Sequence, residues 1–193
     1  LDLLMIDSAS RWRMVRKLRR NPKLELGPAK IREAKVEDMG LVADIYNFYV
    51  RNTVITFDEQ PWDVPKWVSK FEHLQKLNMP FIVLESPSGE VIGFAYVAPW
   101  REKAAFRKTT ENSVYLRSGA IGKGYGKALM TELIRLSRES GIKEIIAVIS
   151  DSGADASIAL HKKLGFEQQG HLAKVGFKFG RWLGTVLLQK SLK

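Results

Sequence analysis

The chain has no cysteine in its 193 residues. Disulfides, thiolate metal sites and cysteine nucleophiles are therefore all excluded. Nor does it contain a run approaching the roughly 20 apolar residues that cross a bilayer. The first residues show no basic stretch followed by an apolar stretch and a small-residue cleavage site, so no secretory signal is read there. No G-x-x-x-x-G-K-[ST] string occurs, which removes the phosphate-loop NTPases. Internal repeats and low-complexity segments are also missing. These absences lead to the expectation of one compact, soluble, cytoplasmic domain with no metal.

Positive charge is abundant. Thirty-one Lys and Arg against 21 Asp and Glu give a formal net charge of +10, an excess that attracts phosphates in nucleic acid, membrane or a nucleotide-like cofactor. Charge alone does not choose among these. Part of it lies in a leader where Arg11, Arg13, Arg16, Lys17, Arg19 and Arg20 crowd between Trp12, Met14, Val15 and Leu18. The stretch reads as a solvated helical arm, as a nucleic-acid or membrane contact, or, from its Arg content, as an organelle transit sequence, against which Asp2 and Asp7 count. Asn21-Pro22 and Gly27-Pro28 end this stretch, so a basic N-terminal extension is assigned to residues 1–30 and the domain proper to 31–193.

Within the domain, apolar residues at spacings of three and four predict a helix over Glu37 to Arg51, and a second is expected from Trp62 to Leu77. Phe81 to Glu85 and Val91 to Val97, joined by Ser86-Pro87-Ser88-Gly89, read as an antiparallel hairpin. Ser113 to Leu116 is a further strand. A glycine-rich turn follows from Gly119 to Gly126, then a helix from Lys127 to Ser140 that Gly141 ends. Ile145 to Ile149 reads as a strand buried on both faces. Ala156 to Leu164 is a helix closed by Gly165, and Thr185 to Leu188 a last strand.

The turn Ile121-Gly122-Lys123-Gly124-Tyr125-Gly126 puts glycines on alternate positions where a strand gives way to a helix. N–H groups at a helix start lack intrahelical acceptors and carry the positive end of the dipole, and glycine lets an anion come close. A pyrophosphate is a natural guest, with Lys123 and Lys127 adding charge. By itself the pattern is also compatible with a structural turn. A dinucleotide fingerprint would need G-x-G-x-x-G in a parallel βαβ unit, whereas here the spacing is G-x-G-x-G after antiparallel hairpins.

These residues resemble the GNAT superfamily of acetyl-CoA-dependent N-acetyltransferases, whose signature R/Q-x-x-G-x-G/A is matched from Ile121 to Gly126 except at its first position. Further strings resemble the phosphinothricin and methionine sulfoximine acetyltransferases in order: Ile45-Tyr46-Asn47, Thr56-Phe57, Ala95-Tyr96 with Pro99-Trp100, Glu111 to Tyr115 (ENSVY), Ser157 to Phe166 (SIALHKKLGF) and Gly176 to Trp182 (GFKFGRW). The likeness spans nearly all of residues 31–192. Two departures stand out. Ile121 replaces the usual Arg or Gln near the pyrophosphate, and Ala154 stands where many relatives carry an Asn facing the pantetheine arm.

The resemblance implies an α/β acyltransferase fold with a mixed, mostly antiparallel sheet flanked by helices. It implies that the strand of Val114, Tyr115 and Leu116 splays from that of Val148 to admit acetyl-CoA, held by Val114, Leu116, Gly122, Lys123, Gly124, Tyr125, Gly126, Lys127 and Ser157. A backbone N–H near Leu116 would then meet the thioester oxygen. An alkylammonium, with a pKa near about 10, must lose a proton before it attacks. Glu111 is the candidate base, a role the resemblance also implies. His161, where many relatives have a tyrosine, and Tyr115 compete to serve the leaving thiolate. Arg101, Lys103 and Lys178 are candidate partners for an acceptor's carboxylate or phosphinate, and Phe57, Trp100, Phe106 and Trp182 candidate pocket walls. The expected acceptor is the primary amine of an amino-acid-like small molecule. The alternatives are a protein or polyamine acetyltransferase, or a non-catalytic acetyl-CoA-binding module that contacts nucleic acid. A homodimer is the expected assembly, and nucleic acid is not the expected partner.

Overall fold

The computed structural model describes residues 29–193, so residues 1–28 of the basic extension lie outside the described residues, while Lys30, its last residue, already belongs to the sheet. The described residues open with a short strand β1 (Lys30–Glu33) and a single 3-10 turn, then helix α1 (Met39–Asn52) and helix α2 (Val64–Lys76). The hairpin strands β2 (Phe81–Glu85) and β3 (Val91–Pro99) follow, then β4 (Thr109–Leu116), α3 (Tyr125–Glu139), β5 (Glu144–Ser150), α4 (Asp155–Lys163), β6 (Glu167–Lys178) and β7 (Arg181–Ser191). All seven strands form one sheet in the order β1-β2-β3-β4-β5-β7-β6. Among the described residues only β4 and β5 run parallel. A parallel pair needs a crossover connection, and α3 supplies it.

Helix periodicity explains which faces are buried. On α1, Met39, Val42, Ala43, Tyr46, Tyr49 and Val50 point inward. On α2, Trp67, Phe71 and Leu74 do the same, one turn apart each time. Asp63 caps α2, its side chain accepting from the Lys66 amide at 2.9 Å. These two helices cover one face of the sheet through Phe81, Val83, Phe94 and Tyr96. The other face carries Ile82, Leu84, Ala95 and Val97 against Leu129, Met130 and Leu133 of α3. At the sheet margin Arg32 bridges Asp38, at 2.7 and 2.8 Å, and Glu85, at 2.6 Å, fastening β1 to its neighbours.

Several differences from the sequence expectation concern strands, among them β1, which no pattern announces, and β4, which begins at Thr109 rather than Ser113. β5 is buried through Ile145, Ala147 and Ile149 but only half-buried at Ile146 and Val148, which lie on its less covered face. β6 was not foreseen. Almost all of its side chains are exposed, so it has no apolar alternation to read. β7 runs well beyond Thr185 to Leu188, because β6 pairs along it from Lys178↔Arg181 to Glu167↔Gln189. The connection uses Phe179 and Gly180, both at positive φ (51° and 72°), which suits a tight two-residue hairpin turn. Phenylalanine is not a residue that announces such a turn. No helix among the described residues is long and apolar enough to cross a membrane.

Candidate functional site

β4 and β5 part company after three residues. Thr109, Thr110 and Glu111 pair with Glu144, Ile145 and Ile146, while Asn112 to Leu116 stay paired only with β3. The Trp100 amide donates to Thr109 O and the Arg117 amide to Ile92 O. Because partners in an antiparallel ladder alternate, the odd residues of β4 bond toward β3. The even residues Asn112, Val114 and Leu116 therefore turn their N–H and C=O groups toward the gap. Tyr49 of α1 holds the far end of β4, its hydroxyl donating to Leu116 O at 2.6 Å. A cleft of about 90 Å³ occupies the gap, with Glu111, Ser113, Tyr115, Val148, Ser157 and His161 in its lining.

Past Leu116 the chain makes one 3-10 turn and enters the glycine-rich turn at the start of α3. Gly122 and Gly124 have φ of +81° and +85°, with open space where a Cβ would stand. Only glycine adopts that backbone cheaply. Gly126 differs, since a Cβ there would be 3.4 Å from Leu160 and 3.7 Å from Leu116, in ordinary contact. First-turn amides such as those of Gly126 and Lys127 have no helical acceptor and suit an anion. Lys123 and Lys127 are exposed beside them. Ile121, 39% exposed, contributes no charge, and Ala154, buried, starts α4 without a side-chain cap. An extended chain ending in phosphates thus finds open strand amides and then a helix start, in that order.

Glu111 is half-buried on the face of β4 that looks toward α1 and α2. Burial raises its pKa, and the charges of Lys70 and Arg101 oppose that rise. Lys70 of α2 is itself depressed by burial and supported by Glu111 and Asp58. Tyr96, opposite Ser113 in the β3–β4 register, is raised to about 12 by burial. Tyr115 packs edge-on against Tyr46 and Tyr49, with ring centroids 5.2 Å apart in both cases. Burial, then Tyr46 and Tyr96, lift its pKa well above the ordinary phenol value, so it keeps its proton. Tyr46 donates to Asp58 and shares a 2.8 Å hydrogen bond with Thr56. Lys70, Asp58, Tyr46 and Tyr96 are the members that sequence reasoning missed in this role.

His161 lies across β4 from Glu111, on the α3 and α4 side, and is 1% exposed. Its Nδ1 lies 2.8 Å from Ser157 O. A carbonyl only accepts, so Nδ1 carries the hydrogen. Its Nε2, 2.9 Å from Asn112 Nδ2, then accepts from that amide. Burial lowers the His161 pKa and keeps the ring neutral. In this arrangement the single imidazole N–H is already committed. Asn112 Oδ1 is buried with no hydrogen-bond partner among the described residues.

The remaining predicted residues fall into three places. Trp100, Arg101, Lys103 and Phe106 line an open basin, from which Arg101 acts on the charge of Glu111. Phe57 packs on β6, where a Cβ at Gly176 would come within 2.6 Å of its ring. Close by, Lys178 is buried and donates to Thr56 O at 2.8 Å. Burial pushes its pKa down to about 8, with Asp58 and Glu59 pulling the other way. Trp182 stands apart. It is 59% exposed and pairs with Phe177 on the β6–β7 hairpin. Among the described residues no cluster of three His, Cys, Asp or Glu is arranged to hold a metal ion.

Comparison with known proteins bears on the family and the fold. The model of the acetyltransferase (GNAT) family matches residues 42–166. An L-methionine sulfoximine/L-methionine sulfone acetyltransferase of Pseudomonas paraeruginosa is 40% identical over 164 residues, covering 85% of this chain and 95% of that protein. A phosphinothricin N-acetyltransferase of Alcaligenes faecalis is 37% identical, covering 84% of this chain and 82% of that protein. A solved putative acetyltransferase from Salmonella typhimurium, with its cofactor acetyl-CoA, superposes with a TM-score of 0.83 at 35% identity, over 86% of this chain and 95% of that one.

Proposed function

The chain belongs to the acetyltransferase (GNAT) family, and from that premise we propose that it moves the acetyl group of acetyl-CoA to the α-amine of an amino acid of the methionine sulfone, methionine sulfoximine or phosphinothricin kind. The observation that carries this is Glu111, a half-buried carboxylate at the mouth of the open β4–β5 gap with Lys70 and Arg101 acting on its charge. A polycationic acceptor such as a polyamine or a lysine-rich peptide would be repelled by those cations. A zwitterion has an end for each sign.

In the mechanism that follows, Val114, Leu116 and Ser157 hold the pantetheine arm in the gap. Gly122, Gly124, Gly126, Lys123 and Lys127 receive the pyrophosphate, with Tyr125 beside them. Glu111 takes one proton from the acceptor's ammonium, directly or through water. The freed amine forms a bond to the thioester carbon, and the Leu116 N–H stabilises the charge that develops on oxygen. As the C–S bond breaks, the nitrogen loses its second proton, which the departing sulfur takes. Tyr115, on the same face as Glu111, serves as the relay. His161 positions Asn112 and α4 rather than donating.

The homodimer, the cytoplasmic setting and the domain limits of 31–193 belong to the same proposal. Phe177 and Trp182, exposed and in edge-on contact on the β6–β7 hairpin, supply an apolar patch for pairing. Sedimentation of Trp182→Glu tests it, a shift toward monomer being expected.

The function itself is tested by a thiol-release assay with acetyl-CoA against methionine sulfone, methionine sulfoximine, phosphinothricin, lysine peptides and spermidine. Turnover confined to the first three is expected. Preference for spermidine or peptides would sink the proposal.

A further inference from the structure

Lys70 is a partly buried cation for which no hydrogen bond or ion pair to a carboxylate is found among the described residues. Its Nζ lies 4.7 Å from the Tyr96 ring centroid and 5.5 Å from that of Trp62. Glu111 and Asp58 are near enough to act on its charge, yet neither forms a salt bridge with it. The neighbouring cations are differently placed. Lys178 donates to Thr56 O, Arg101 is exposed with its guanidinium 5.0 Å from the Trp100 ring centroid, and Lys66 is exposed over Trp62 at 3.8 Å.

An ammonium has three hydrogens to donate and accepts nothing. Rings ease its loss of water but leave those hydrogens without oxygen partners, which is costly for a partly buried charge. The position matters as much as the chemistry. Tyr96, over which Lys70 sits, is opposite Ser113, and Ser113 follows Glu111 by two residues on the same strand face. Two residues of strand span about 7 Å. That is the scale on which the two charged ends of an amino acid each meet a hydrogen-bonding partner.

We infer that Lys70 receives the carboxylate of the acceptor while Glu111 receives its ammonium, so that the site selects α-amino acids by reading both ends of the zwitterion. This rests on the amino-acid reading of the acceptor and deepens it. Arg101, Lys103 and Lys178, the cations singled out from sequence, are not the primary carboxylate ligand in this arrangement.

The test compares L-methionine sulfone with its decarboxylated analogue, 3-(methylsulfonyl)propylamine, on the full chain and on Lys70→Gln, Lys70→Arg and Arg101→Gln. In Lys70→Gln, KM for the amino acid should rise about tenfold or more, the loss of one charge-assisted hydrogen bond. Its kcat should stay within about threefold, and kcat/KM for the analogue should hold or improve. Lys70→Arg should restore most of the loss, and acetyl-CoA affinity should be unchanged throughout. A native chain that prefers the amino acid, with Lys70→Gln losing both acceptors alike or with Arg101→Gln carrying the selective loss, overturns this inference and leaves the acceptor class standing. A native chain that treats the two acceptors equally overturns both.

Discussion

Replacing Glu111 by Gln removes one negative charge and almost no volume, which isolates its proton-transfer role. The α-amine of the acceptor is mostly protonated at pH 7. A positioned base makes the remaining population usable, and such bases contribute roughly 10²- to 10⁴-fold. Since burial raises the Glu111 pKa, followed in size by the opposing Lys70 and Arg101 charges, the charged carboxylate is disfavoured by the fold and a neutral amide there should not destabilise it. The expected outcome is a loss of about 10²- to 10³-fold in kcat/KM with an unchanged or higher melting temperature and unchanged acetyl-CoA affinity. The pH profile gives a second reading. In the native chain the acid limb should lie above the ordinary carboxylate range. In Glu111→Gln that limb should vanish, leaving a rate that climbs tenfold per pH unit with the free-amine fraction. Steady-state thiol release from pH 5 to 10 measures both. A loss under about threefold, or an acid limb that survives the substitution, would refute the assignment.

Further outcomes are expected at other positions. Gly124→Ala should cost about 1–2 kcal/mol in thermal or denaturant unfolding, because φ of +85° is strained for any residue with a Cβ. Gly126→Ala meets only ordinary contacts, so it should leave the melting temperature alone while raising KM for acetyl-CoA; equal melting losses in the two variants would contradict the distinction. Ile121→Arg, at an exposed position, should tighten acetyl-CoA binding by about fivefold, the worth of roughly 1 kcal/mol from one partly exposed phosphate contact, as read by calorimetry. His161 has a folded pKa held below its ordinary 6.5 by burial. The unfolded chain therefore binds a proton first as pH falls, and stability present above about 6.5 is lost below it. Melting curves at pH 5.5 and 7.5 should show this loss shrinking in His161→Gln; an undiminished loss would assign it to other groups.

The legible parts of the fold are those where burial writes a period into the chain. Met39, Val42, Tyr46 and Tyr49 repeat at helical spacing because one side of α1 is dry, and the β2–β3 hairpin shows itself through apolar runs around Ser86 to Gly89. β6 carries no such record. Its backbone is paired with β7 while its side chains face outward, and pairing alone leaves no mark on residue type. Only the two-residue turn at Phe179 and Gly180 could have signalled it, through a glycine whose partner is atypical.

Glu111, Tyr115 and the glycine turn entered the candidate site through the resemblance of ENSVY and of Ile121 to Gly126 to acetyltransferase strings; taken alone, Glu111 is one of 21 acidic residues. Asn112 was legible in principle. It alternates with Val114 and Leu116 on the face of β4 turned toward α3 and α4, and a polar residue in an apolar row calls for a buried partner, which His161 supplies. Lys70 was not. Three residues after Trp67, it sits at the edge of the buried face of α2, where a lysine ordinarily runs its stem along the core and its charge to water. What makes it part of a site is the docking of α2 over Tyr96, a residue 26 positions later in sequence. The proposed base stands in a string that the resemblance marks. The cation that complements it is visible only where helix and sheet meet.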